Sequence, residues 1–275
     1  MPPITAITVI YNSAAVLPGL VDSLPPGLPL IVVDNGPDDG MRDWARARGL
    51  TVIVSPENLG FGRGCNLGAA GAESEFVLFI NPDARLEPDA IGHLLDAAHR
   101  NPDAAAFGPV LIAHDGKPRY KRKSYLLPHQ PKPPRDPGPT DRPVGVLSGA
   151  VLMVRRAAFV AVGGFDSAIF LYFEDDDLSL RLTQTAGPLI LVPSARAHHD
   201  NGHSSPPSNA LSQFKGRHWA RSRIQAGRKH GLPLPWLSGL WDGISHTLSP
   251  RSWHDAAHRH EGLGRVKGAL SLWRS

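Results

Sequence analysis

Read for hydrophobic period, the first hundred residues alternate between two kinds of segment. Short runs dense in Val, Ile, Leu and Phe stand at 4–11 (ITAITVIY), 29–35 (PLIVVDN), 50–55 (LTVIVS) and 75–81 (EFVLFIN). Runs of this length and β-branched content, apolar on both faces, predict buried strands. Between them lie segments of helical character. One runs from Asn12 and Ser13, which offer N-caps, to about Leu24. Others cover 41–49, with Gly49 as its stop, the small-residue stretch 63–72, and 88–100. This alternation predicts an α/β fold, an open and mostly parallel sheet flanked by helices. Such sheets bind ligands beyond the carboxyl ends of their strands. Asp34, Asn58, Asn81 and Asp83 are therefore candidate site residues by position alone.

The rhythm changes after residue 105. A strand at 104–113 precedes a Pro- and Lys/Arg-rich loop, 114–143, whose length marks it as functional or disordered. A further strand is expected at 144–156 and a helix at 174–187, ended by Gly187 and Pro188. The stretch 188–205 reads as a strand running into a His-rich loop, HHDNGHS (198–204). The tail reads as helical, interrupted by LPLP at 232–235. The expected division is a body of 1–205, itself split at 103/104, and a helical extension of 206–275.

A chain of 275 residues with 41% apolar content can bury a sizeable core. The single cysteine, Cys65, excludes an internal disulfide framework and points to a reducing compartment. The N-terminal stretch lacks the basic and apolar regions of a secretory signal, and no run reaches the ~18 apolar residues of a spanning helix. The expectation is a cytoplasmic protein, or one peripheral on the inner face of the cytoplasmic membrane. The net charge of +4 hides an asymmetry: Lys and Arg against Asp and Glu number 18 against 22 in 1–200, and 11 against 3 in 201–275. A basic tail meets nucleic acid, anionic lipid or a phosphorylated substrate, and composition does not choose among them.

Four stretches carry candidate chemistry. NLGFGRGCNLG (58–68) is glycine-dense before a helix, which suits close approach to a phosphate or, equally, tight helix–sheet packing. Its spacing is not the dinucleotide fingerprint. FINPDARLEPD (79–89) sets Asp83 just past a strand, with Pro82 stiffening the turn. That carboxylate either caps the next helix or ligates a hard divalent cation. EDDD (174–177) follows the aromatic run 169–173. Acids are welcome in a first helical turn, but four exceed what capping needs. At ~100° per residue they cannot share a face. Asp177 is spaced to pair with Arg181, Asp176 is expected in solvent, and Glu174 and Asp175 can face a cleft. Partial exclusion of water there would raise a carboxylate pKa toward general-base work. The histidines of 198–204 fit no standard zinc spacing.

In their order along residues 4–205, ITVIYNS, IVVDNG, NLGFGRGCNLG, FINPDARL, SGAVLMVRR, GGFDSAIFLYFEDDDLSLRL and HHDNGHS resemble family-2 glycosyltransferases of the GT-A fold, in the bacterial rhamnosyltransferase branch. The resemblance implies an inverting, metal-dependent transfer from a nucleoside-diphosphate sugar, with dTDP-L-rhamnose first and UDP-hexoses or UDP-N-acetylhexosamines next. It implies a donor pocket of Tyr11, Asn12, Asp34, Asn58, Gly60, Gly62, Asn66 and Asn81. It implies a Mg2+ or Mn2+ ion on Asp83 and His199, with His198 as the competing choice. Asn81 replaces the first acid of the usual Asp-x-Asp pair, so the ion's shell needs diphosphate and water. Asp175 resembles the general base, with Glu174 beside it. Ser148, Gly149, Phe173, Arg217 and Arg221 would meet the acceptor or its phosphates, LSGA (147–150) and GGF (163–165) would flank its sugar, and KPRYKRK (117–123) would help hold what that sugar is attached to. The implied acceptor is a glycan or a polyprenyl-diphosphate-linked sugar of the cell envelope, and the implied partners include a membrane surface but no nucleic acid. A sugar-phosphate nucleotidyltransferase would need a Gly-rich signature with a basic residue after the first strand, which VIYNSAAVLPG lacks. A non-enzymatic lipid or nucleic-acid binder would leave the crowded acids and FINPD without a purpose.

Overall fold

The computed structural model describes residues 3–199 and 208–273. The first half runs β1 (Ile4–Ile10), α1 (Leu17–Ser23), β2 (Leu30–Asp34), α2 (Met41–Arg46), β3 (Thr51–Val54), α3 (Phe61–Ala69), β4 (Phe76–Ile80), β5 (Ala84–Leu86) and α4 (Ala90–Arg100). The second continues β6 (Ala106–Ile112), β7 (Pro118–Arg119), β8 (Arg142–Val144), β9 (Val151–Arg155), α5 (Arg156–Ala161), α6 (Glu174–Thr185) and β10 (Leu189–His199). Four helices complete it: α7 (Asn209–Lys229), α8 (Pro235–Thr247), α9 (Arg251–His254) and α10 (Ala256–Leu270).

The strands form one sheet in the order β3-β2-β1-β4-β9-β6-β10-β5, with β7 on β6 and β8 on β10. The sheet is parallel from β3 to β4, as the alternation predicts. Beyond β4 it becomes mixed, because β9 lies antiparallel between β4 and β6. β10 is again parallel to β6. The carboxyl ends of β1, β2, β4 and β10 and the amino end of β9 therefore share one edge. That edge is where Tyr11, Asn35, Asn81, Gly149 and His199 fall.

Alternation along β1 shows how the sheet is buried on both faces. Ile4, Ala6 and Ile10 join a cluster with Leu17, Leu20, Leu94 and Ala97 of α1 and α4. Ile7 and Val9 point to the opposite cluster, with Cys65, Phe159, Leu178 and Leu182 of α3, α5 and α6. Each fully buried Ile, Leu or Phe among them contributes about 1.5–3 kcal/mol over exposure. α3 lies close on the sheet because Gly64 and Gly68 leave no Cβ to collide with Val9 and Ile7. Close packing thus accounts for two of the glycines in 58–68.

Several boundaries differ from expectation. The first helix starts at Leu17, not near Ser13, because Ser13 accepts the backbone N–H of Tyr11 on its hydroxyl and closes a turn. The strand expected at 144–156 shortens to β9: Val144 ends the separate β8, a Gly- and Ser-containing crossing fills 145–150, and Arg156 opens α5. The loop 114–143 is folded, with β7 inside it. β10 ends at His199, and Asp200 to Ser205 of the expected strand and loop, including His203, lie outside the described residues.

The C-terminal helices pack on one another through glycine. A Cβ at Gly216 would meet the carbonyl of Glu261, one at Gly264 that of Gln213, and one at Gly268 that of Arg217, so α7 and α10 cross nearly backbone to backbone. No helix among the described residues is long and apolar enough to cross a membrane. Gly264→Ala should push α10 off α7, at about 1–3 kcal/mol for an overpacked contact. Thermal unfolding followed by circular dichroism should register a lowered Tm, whereas Gly92→Ala, where a Cβ meets open space, should not lower it.

Candidate active site

Two cavities adjoin at the carboxyl edge of the sheet. The larger, of about 680 Å3, is lined by residues including Tyr11, Asn35, Asn58, Gly60 and Asp83, and by Phe214 and Lys215 of α7. The smaller, of about 470 Å3, is lined by Lys121, Tyr125, Ser148, Gly149, Phe173, Glu174, Asp175 and Trp219, among others. Asn81, His199, Phe61, Leu171 and Tyr172 line both. Asp83 thus lines the larger cavity and Asp175 the smaller, with Asn81 and His199 in the walls of both.

The first side is built by register. β5 pairs antiparallel with β10, setting His199 opposite Ala84 and His198 opposite Arg85. Successive strand residues point to opposite faces. His199 consequently meets Asp83, Nε2 to Oδ1 at 3.3 Å, and the Asn81 amide nitrogen at 3.2 Å. His198 turns away to Glu87, at 3.2 Å. The turn that presents Asp83 is closed by the Ala84 N–H on the Asn81 carbonyl, at 3.0 Å. Among the described residues no cluster of three or more His, Cys, Asp or Glu could hold a metal ion. Asp83 and His199 offer one hard oxygen donor and one imidazole, two corners of a shell rather than a closed cage.

The floor of the larger cavity is the loop before α3. Asn35 donates to the Asn58 side chain (3.1 Å) and the Gly60 carbonyl (3.0 Å), and accepts the Leu59 N–H (2.9 Å). Gly60 has φ +78°, and a Cβ there would strike the Phe170 carbonyl, which itself accepts the Phe61 N–H at 3.1 Å. Only glycine fits this position. The loop 169–173 is locked over α3 in this way.

α6 begins under strain. Tyr172 and Phe173 both take left-handed backbone, φ +68° and +66°, a conformation costing about 1–3 kcal/mol per bulky residue. Phe173 is held there by edge-on contacts with Tyr125 and Trp219. The four acids that follow have four different surroundings. Asp175 Oδ2 accepts the Gly149 N–H at 2.9 Å, and Oδ1 meets Lys121 Nζ at 2.8 Å. Burial pushes its pKa up, but the Lys121 ammonium and the two backbone N–H donors outweigh burial and hold it below the usual value. The expectation of a raised pKa at Asp175 is therefore reversed. Asp176, expected in solvent, is buried and pairs with the same Lys121 at 2.6 Å. Asp177 has no exposed surface and binds Arg181, as its spacing predicts, together with Lys229 and His230. Glu174 is buried with Oε2 unpartnered. Burial first, and the Asp175 charge second, push its pKa up to about 8.

Other expected site residues lie elsewhere. Asp34 does not line either cavity: it is buried against the Arg42 guanidinium and accepts the Gly36 N–H, and the next residue, Asn35, takes the cavity position. Asn12 is exposed on left-handed backbone beside Tyr11. Gly62 sits under Phe165, and Asn66 clasps both backbone groups of Phe165 at 2.8 Å, so both serve packing of GGF (163–165) behind the site. Arg217 and Arg221 are on the far side of α7, Arg221 bonded to Ser271, while Lys215 and Trp219 face the cavities. Lys121 fell within a basic stretch assigned only to the acceptor's carrier; its pairing with acids 54 and 55 residues away has no local signal.

Glu174 ionises near its ordinary 4.5 in the unfolded chain and near about 8 in the fold. Between those values the folded state holds the extra proton, so its contribution is intact below pH 4.5 and is lost as pH rises through about 8. Glu174→Gln should match wild type in Tm near pH 4.5 and exceed it progressively toward pH 8, in melts across that range.

A family model described as Glycosyl transferase family 2 matches residues 5–163. The chain is 34% identical over 254 residues to N-acetylglucosaminyl-diphospho-decaprenol L-rhamnosyltransferase of Mycobacterium tuberculosis, covering 80% of this chain and 82% of that protein. It is 30% identical over 167 residues to Rhamnosyltransferase WbbL of Escherichia coli, over 52% and 62% of the two chains. Among solved structures, mannosyltransferase PcManGT from Pyrobaculum calidifontis, in complex with GDP-Man and Mn2+, superposes with TM-score 0.60 at 18% identity, over 98% of this chain and 74% of that one. GalNAc-T7 with UDP, GalNAc and Mn2+ gives 0.63 at 13%, over 98% of this chain and 54% of that one. The structural likeness shows a GT-A fold, and the family match, which covers more than half its length, shows that the chain belongs to glycosyl transferase family 2.

Proposed function

We propose that this glycosyltransferase moves L-rhamnose from dTDP-L-rhamnose to a sugar carried on a polyprenyl diphosphate, with inversion at the anomeric carbon, in the building of a cell-surface polysaccharide. What supports the reading is that Asp83, paired with His199, lines one cavity and Asp175 the next, the two cavities sharing Asn81 and His199 in their walls. The names of the two rhamnosyltransferase relatives support the donor sugar, and the decaprenol in one of them supports the acceptor class.

In this reading the larger cavity takes the nucleotide, between Tyr11, Asn58 and the Gly60 loop, and the smaller takes the acceptor. Asp83 and His199, with Asn81 beside them, would hold a divalent cation whose remaining ligands are donor diphosphate and water. Such an ion supplies charge neutralisation for the departing diphosphate. Asp175 receives the acceptor hydroxyl proton as that oxygen bonds to the anomeric carbon and the diphosphate oxygen leaves from the opposite face. Its carboxylate is already ionised at neutral pH and held in place by Gly149 and Lys121. Phe173, Tyr125 and Trp219 give the acceptor sugar apolar faces and limit water near the transition state.

A panel of dTDP-, UDP- and GDP-sugars, with and without Mn2+, tests the reading directly. Transfer only from UDP-hexoses or UDP-N-acetylhexosamines would move the donor, and absence of metal-dependent transfer from every donor would overturn the proposal. Asp175→Asn should lower kcat by about 100-fold or more while donor binding, measured by calorimetry, stays nearly intact. His199→Ala should weaken Mn2+-dependent donor binding about tenfold or more, and His198→Ala should leave it unchanged. Lys121→Gln removes the ammonium that lowers the Asp175 pKa, so the acid limb of the kcat/KM profile should move to higher pH.

A further inference from the structure

The C-terminal layer leaves the outer face of α8 uncovered. In α8, Gly239, Gly243 and Thr247 turn toward α7 and α10, where a Cβ on either glycine would meet Ile224 or the backbone of Arg265 and Val266. On the opposite side, Leu237, Trp241, Ile244 and Leu248 recur at four, seven and eleven residues, which at ~100° per residue is a single narrow stripe. Trp241 is 70% exposed, Leu248 69% and Leu237 51%. Trp253 of the following α9 is 74% exposed. A helix that is apolar on its packed side and apolar again on its outer side needs something other than water against the outer one.

The charge around the stripe says what. Residues 208–273 hold ten Lys and Arg against three acids. All three acids are already engaged: Asp242 with Arg223 and Arg265, Glu261 with Arg265, and Asp255 with Arg251. Arg251, Arg259 and Lys267 are exposed on α9 and α10. A second copy of the chain would bring like charge against like charge. A surface with apolar depth and negative headgroups matches both features. The stripe also starts beside the smaller cavity, since Ser238, next to Leu237, is hydrogen-bonded to Tyr125 at 3.0 Å, and Tyr125 lines that cavity.

We infer that the outer face of α8, with Trp253 of α9, docks on an anionic lipid bilayer and so brings the smaller cavity to the membrane surface. Its purpose rests on the lipid-linked acceptor proposed above; its test does not. The full chain is sedimented with vesicles of equal parts phosphatidylglycerol and phosphatidylcholine, and with phosphatidylcholine alone. Wild type should pellet with the mixed vesicles, with about tenfold weaker partitioning onto the neutral ones. Trp241→Ser combined with Leu248→Ser should weaken partitioning onto mixed vesicles about tenfold or more while leaving Tm and the circular dichroism spectrum unchanged, because both side chains are exposed. No pelleting of wild type, or equal pelleting of the double variant, overturns the inference. So does a wild-type dimer in light scattering that the double variant converts to monomer without any vesicle binding, which would assign the face to a second copy. Vesicle binding that behaves as expected beside a donor panel with no transfer would sink the transfer reaction and leave the membrane surface standing.

Discussion

Packing four consecutive carboxylates, three of them buried and Asp175 partly so, is the constraint around which this molecule is arranged. An unpaired charge in a protein interior is too costly to keep, so each acid at the start of α6 must be neutralised in place. Glu174 keeps its proton. Asp175 and Asp176 share Lys121, which arrives from the folded loop 114–143. Asp177 takes Arg181 from its own helix and Lys229 and His230 from the end of α7. The acids therefore do more than begin a helix. They fasten the long loop and the C-terminal layer to the segment that carries Asp175, which Lys121 keeps ionised at the cavity wall.

Close fitting likewise shapes the opposite wall. The glycines of 58–68 serve different ends. Gly64 and Gly68 let α3 lie on the sheet, and Gly60 yields its Cβ position to the Phe170 carbonyl. That contact ties the loop before α3 to the strained turn at Tyr172 and Phe173, and Phe61 and Tyr172 from the two segments line both cavities.

Much of this was legible in the sequence because strand ends are legible. A run such as FVLFI followed by Asn81, Pro82 and Asp83 fixes both the strand and the edge at which its polar residues emerge. Side-chain direction was less legible. Asp34 and Asn35 differ by one residue, yet one turns to Arg42 and the other to the cavity. Along α7 the Arg217 and Arg221 pair was the more conspicuous signal, but the face that meets the site belongs to Lys215 and Trp219, and only the packing of α10 decides that. The pKa order of Glu174 and Asp175 depends on Lys121, whose partner cannot be read from spacing. The residues' identities were in the chain; their pairing was a property of the fold.

The register of β10 on β6 shifts between Val192 and Arg196, ahead of the paired histidines at the strand's end. Strand parity past the shift selects which of two neighbouring imidazoles faces Asp83. Gaining a single residue there would bring His198 to the position that His199 holds opposite Ala84, so the doubled histidine would still present an imidazole to the carboxylate. The edge is thus buffered against a one-residue insertion in this stretch.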